Sequence, residues 1–144
     1  MIQFYHEEVK KPSFNQQKVK SYIKLLASEY GKKIGEIGYN FCTDDRILSV
    51  NKEFLQHDYY TDIITFDYSE NRVLNGDIFV SIDTVRSNSE KFNTPFEEEL
   101  HRVIFHGILH LCGINDKTEE ESTKMRECEN KALIEYSNFL KEQS

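Results

Sequence analysis

Apolar positions recur along this chain with two different periods, and the switches between them mark its elements. Ile2 and Phe4 alternate with polar neighbours, as a short first strand requires. From Asn15 to Tyr30 the apolar residues Val19, Tyr22, Ile23, Leu26 and Tyr30 return at intervals of three and four, and Gly31 follows as a stop, so an amphipathic helix is predicted. Ile34–Cys42 returns to alternation, with Ile37, Tyr39 and Phe41 on one side. Asp44–Gln56 reads as a helix that turns Ile47, Leu48, Asn51, Phe54 and Leu55 inward. Ile63–Phe66 and Ile78–Ile82 are β-branched and aromatic runs bounded by Asp, Asn and Gly, as sheet strands are. A short helix from Thr84 to Phe92 follows.

The next helix is signalled by Thr94 as cap, Pro95 in the first turn and Glu97 in a capping-box position. Val103, Ile104, Phe105, Ile108, Leu109 and Leu111 make it apolar nearly all round, which places it in the middle of the domain. Thr118 and Glu121 repeat the capping pattern for a last helix, with Met125, Cys128, Ala132, Tyr136 and Phe139 as its inner stripe. Together these elements predict an α+β fold: a small mixed β-sheet packed around a buried central helix, with further helices on its faces. No linker or internal repeat divides the 144 residues, so a single domain over residues 1–144 is expected.

Composition narrows the picture. No apolar run approaches the roughly 20 residues that span a bilayer, and Met1–His6 lacks the basic start and apolar run of a signal peptide, so a cytoplasmic protein with no membrane partner is expected. The three cysteines, Cys42, Cys112 and Cys128, include no Cys-x-x-Cys pair, which argues against a disulfide framework or a thiolate zinc cluster. Residues 1–52 carry nine Lys/Arg against six Asp/Glu, whereas residues 53–144 carry nine against nineteen. The acidic half therefore lacks the broad basic surface of a protein that coats nucleic acid. Lys18, Lys20 and Lys24 on the first helix are a solvated face or a local basic strip.

The buried helix carries the chemistry. His106 and His110 are four apart and share one helical face, and Gly113 ends the helix before Asp116 arrives. Two histidines and a carboxylate are a ligand set for Zn²⁺, or another divalent metal, and three protein ligands leave a position open, as catalytic zinc sites do. An Asx turn or a helix cap is the other reading of Asp116, with Asn115 competing for that turn role. Cys112 does not share the face. The spacing matches a metzincin-like ligand helix, but those zinc proteases carry a glutamate base where this chain has Gly107. Glycine inside a buried helix costs about 1 kcal/mol relative to alanine, so either a neighbouring backbone packs close or space is kept beside the metal.

These residues resemble the YbeY-type single-strand endoribonucleases of ribosomal RNA maturation, whose hallmark is His-Gly-x-Leu-His-Leu-x-Gly-x-Asp-His. The chain has His106-Gly107-x-Leu109-His110-Leu111-x-Gly113, preceded in the same order by Asn51-x-x-Phe54, Thr61-Asp62-Ile63-Ile64-Thr65-Phe66 and Gly76-Asp77-Ile78. It departs from the pattern where Asp116 and Asn115 stand in place of His and Asp, where Leu55 replaces an arginine, and where His57 replaces a lysine. A carboxylate for an imidazole lowers the charge of a divalent site by one unit and weakens the ion as a Lewis acid. Leu55 removes a planar cation suited to phosphate. His57 either stands in for part of that charge, as a third catalytic histidine beside the metal-bound His106 and His110, or is a surface residue. The resemblance implies a zinc-dependent endoribonuclease acting on single-stranded rRNA in small-subunit 3′-end maturation, with the small ribosomal subunit and its proteins as partners and no DNA. Thr61, Asp62 and Asp77 are motif positions placed near the site or its sheet support, with strand ends and turn stabilisation as the favoured reading of their role. The alternatives are a ribosome-assembly binding factor braced by metal and, less favoured, a metalloprotease-like hydrolase.

Overall fold

The computed structural model describes residues 1–55 and 61–142. Among them the order is β1 (Ile2–His6), α1 (Gln16–Glu29), β2 (Lys33–Cys42), α2 (Asp44–Leu55), β3 (Ile63–Asp67), β4 (Val73–Ser81), α3 (Ile82–Lys91), α4 (Phe96–Leu111) and α5 (Glu119–Glu142). The strands form one mixed sheet in the order β1-β2-β4-β3. β1, β2 and β4 run parallel, and β3 lies antiparallel at the edge. This is the predicted α+β arrangement of a small sheet around a buried helix.

Strand alternation divides the interior into two unequal cores. Ile37, Tyr39, Phe41, Ile78 and Val80 face α1 and α4 in the larger one, while Cys42, Ile47, Val50 and Ile64 form a smaller one beneath α2. The buried Tyr39 hydroxyl donates to the Ile104 carbonyl at 2.6 Å and ties α4 to the middle of the sheet. Close approach at the sheet edge explains Gly76: a Cβ there would stand 2.5 Å from the Phe66 carbonyl oxygen.

Three local expectations are corrected. α3 begins at Ile82 rather than Thr84, because Ser81 turns its hydroxyl to the Thr84 amide and caps the helix there. Thr94 does not cap α4: the helix starts at Phe96 after Pro95, with no side-chain cap. Thr94 is already committed to the end of α3, where Asn93 takes a left-handed φ of 55° and the Thr94 and Asn93 amides donate to Ser89 and Glu90. The inner face of α2 is Ile47, Val50 and Asn51, whereas Phe54 and Leu55 are exposed.

Two other punctuation signals, near the candidate site, operate as read. Thr118 and Glu121 exchange reciprocal hydrogen bonds of 3.1 Å at the start of α5. Gly113, at φ 100°, closes α4 with donors from Gly113 to His110 and from Ile114 to Leu109.

Candidate metal centre

The turn at Gly113 reverses the chain after one exposed loop and returns Asp116 to the face of α4 that carries both histidines. Asp116 Oδ2 lies 3.4 Å from His106 Nε2 and 3.2 Å from His110 Nε2. The three donor atoms fall within 4.8 Å of one another. Donors bound about 2.0–2.1 Å from a tetrahedral zinc stand roughly 3.3 Å apart, so the group fits a small divalent ion. Cys112 is the C-cap of α4 and stands outside the group.

A fourth residue completes the arrangement, and the sequence reading did not pick it out. α5 runs back along α4 and brings the buried Glu129 to 2.6 Å from His106 Nδ1. The other carboxylate oxygen accepts from Arg102 at 3.1 Å and Arg126 at 3.3 Å. An ionised carboxylate only accepts, so Nδ1 carries the proton and Nε2 turns its lone pair towards Asp116 and His110. The available signal was a charged residue inside an apolar stripe: Met125, Glu129, Ala132 and Tyr136 are spaced by four, three and four and all are buried.

The electrostatics follow this geometry. Burial opposes charge on His106, but the hydrogen bond and charge of Glu129, with Asp62 and Asp116 behind it, outweigh burial and raise the imidazole pKa. Burial and the neighbouring His106 lower that of His110 against the pull of Asp116. Burial also raises the Asp62 carboxyl, with His106 opposing it.

Two clefts meet at the cluster. One, of about 630 Å³, runs along edge strand β3 and includes Leu55, Thr61, Asp62 and Lys117 beside the two histidines and Asp116. The other, of about 520 Å³, opens towards α3 and α5, with Phe92 and Arg126 beside His106 and Asp116. Asp77 is elsewhere: it lines a separate cleft with Tyr5 and Gly38. Lys18, Lys20 and Lys24 line neither cleft, and Lys20 lies over the Phe4 ring. His57 falls outside the described residues.

Gly107 resolves differently from either expectation. A Cβ there would meet Ile78 Cδ1 at 2.9 Å and Ile63 Cδ1 at 3.4 Å, so sheet side chains, not a backbone or an open substrate space, occupy the position. Any side chain there, a glutamate base included, would have to displace these methyls.

The fold and this His-His-Asp group define a small α+β protein with a candidate metal centre between its central helix and an edge strand. The Endoribonuclease YbeY family model matches residues 2–137, and the chain belongs to that family. It is 58% identical over 133 residues to the Endoribonuclease YbeY of Phocaeicola vulgatus, covering 92% of this chain and 96% of that protein. The Bacteroides fragilis Endoribonuclease YbeY is 58% identical over 132 residues, covering 92% and 95%. A solution structure of a Thermotoga maritima protein superposes with a TM-score of 0.66 at 30% identity, covering 99% of this chain and 93% of that one. Among the described residues, no helix is long and apolar enough to cross a membrane.

Proposed function

We propose that the chain is a single-domain, zinc-dependent endoribonuclease of the cytoplasm that cuts single-stranded rRNA during small-subunit 3′-end maturation, with the small ribosomal subunit as its working partner. The observation that carries this reading is the convergence of His106 Nε2, His110 Nε2 and Asp116 Oδ2 in a family of endoribonucleases. Membership of that family favours catalysis over a metal-braced assembly factor, and the filled space at Gly107 disfavours a protease.

The bound ion would polarise a phosphate oxygen and lower the pKa of a coordinated nucleophile. The chain's own residues do the rest. His106, held by Glu129 through Nδ1, presents Nε2 to the cluster as the nitrogen that would take the ion, in competition with a proton. Asp62, on the wall of the β3 cleft, is the carboxylate placed to accept a proton from a nucleophile there. Lys117 lends that cleft a positive charge where Leu55 does not.

Incubating zinc-loaded protein with a single-stranded rRNA fragment tests the reading. Endonucleolytic products are expected, and His106→Ala abolishes them. If the loaded wild type leaves the RNA as intact as His106→Ala does, the reading falls.

A further inference from the structure

An acidic protein that handles RNA has to draw its affinity from a few placed groups, because phosphate neutralisation over a broad basic surface is not available to it. Base stacking on exposed aromatic rings and a small number of cations are what single-strand binders use instead. The structure assembles both beside the metal cluster. Phe92, at the exit of α3, is 48% exposed although it is a large apolar ring. Lys91 Nζ lies 5.6 Å from its centroid and the Arg126 guanidinium carbon 5.7 Å. The same cleft reaches His106 and Asp116, and its volume of about 520 Å³ falls in the range of about 300–1,000 Å³ typical of ligand sites.

We propose that Phe92, Arg126 and Lys91 form a nucleotide subsite for single-stranded RNA, in which a base flanking the scissile phosphate stacks on Phe92 and the two cations hold the adjoining phosphates. The proposal rests on the endoribonuclease reading and adds a second binding region to it. Both clefts share His106 and Asp116, so a single strand crossing the cluster has one flank along β3 and the other against α3 and α5. The cations ride on long flexible stems and can yield the ring face to a base while staying at the backbone. Glu129 keeps Arg102 as a partner when Arg126 turns to phosphate. Arg126 thereby restores, from α5, a guanidinium beside the cluster, whose β3 flank carries the apolar Leu55.

Steady-state cleavage of a short labelled single-stranded RNA by the zinc-loaded protein tests this. Phe92→Ala should raise KM by about 5- to 150-fold with a smaller change in kcat, and Phe92→Tyr should restore it. Arg126→Ala should make the dependence of log(kcat/KM) on log salt shallower by about 0.7, the share of one single-strand phosphate contact. Removing single bases near the cut should reveal one abasic position that costs the wild type as much as Phe92→Ala and costs that variant nothing more. Unchanged KM and salt slope in folded Phe92→Ala and Arg126→Ala proteins that still cut RNA would overturn the subsite alone. A wild type that cuts no RNA would overturn the endoribonuclease reading and the subsite with it.

Discussion

His106 and Glu129, 23 positions apart on separate helices, are joined by a 2.6 Å hydrogen bond from imidazole Nδ1 to a buried carboxylate. The bond decides the tautomer of His106 and therefore which nitrogen is available to a metal. Glu129 also closes a charge chain in which a half-buried Arg102 stands between two buried carboxylates, 3.9 Å from Glu99 and 3.1 Å from Glu129. One side chain thus serves both the fold and the site.

Glu129→Gln should separate those duties. The amide keeps the size and can still accept from Nδ1, but loses the charge that makes the imidazole a stronger ligand. Zinc affinity, measured by competition with a chromophoric chelator, should fall about 10- to 100-fold. Glu129→Ala should in addition lower stability by about 1–3 kcal/mol, because the half-buried Arg102 loses its closest partner and keeps only Glu99. Denaturant melts of the metal-free proteins check this.

Asp116 is the proposed ligand on which the candidate centre most depends. Asp116→Ala should leave less than stoichiometric zinc after dialysis, measured by elemental analysis. Asp116→His should retain the ion, since an imidazole is an equally good zinc donor. Equal zinc content in wild type and Asp116→Ala would remove Asp116 from the centre.

At Gly107 helix propensity and packing against the sheet oppose each other. Alanine improves helix propensity by about 1 kcal/mol, but its methyl would stand 2.9 Å from Ile78 Cδ1 and overpacking costs about 1–3 kcal/mol. Gly107→Ala should therefore be neutral to destabilising by about 2 kcal/mol. Ile78→Val in the same chain, which removes the offending methyl, should recover part of the loss. Thermal melts of the single and double variants measure the coupling.

His101 supplies a pH signature separate from the metal. It is packed against Phe105 and Tyr136, and burial lowers its pKa to about 4. The unfolded chain binds a proton near pH 6.5 while the folded one does not, so stability is full above that value and declines as pH falls from 6.5 towards 4. His101→Phe should flatten this part of the stability profile, by up to about 3 kcal/mol at its acidic end. Comparing urea melts of wild type and variant at pH 7 and pH 4.5 checks the sign.

Much of the site was legible because its information is local. The four-residue spacing of His106 and His110 is a property of any helix, and the left-handed turn at Gly113 is a property of glycine. Thr118 and Glu121 announced the start of α5 for the same reason, since a capping box involves residues three apart. Thr94 misled because its amide answers to the helix before it, which its own neighbours do not reveal. Phe54 and Leu55 misled because a helix on the smaller core buries only a narrow stripe.

The sequence alone determined the order of elements, the buried central helix and the pair of histidines on one of its faces, because periodicity and backbone preference act over a few residues. Only the tertiary structure decided that Asp116 Oδ2 would meet both imidazoles, that Glu129 would turn from an inner helical stripe onto His106, and that Phe92 and Arg126 would share a cleft with the cluster. Those distances depend on how α4 and α5 pack against each other and the sheet. That packing sums many small contacts between residues far apart in the chain, and no short segment encodes it.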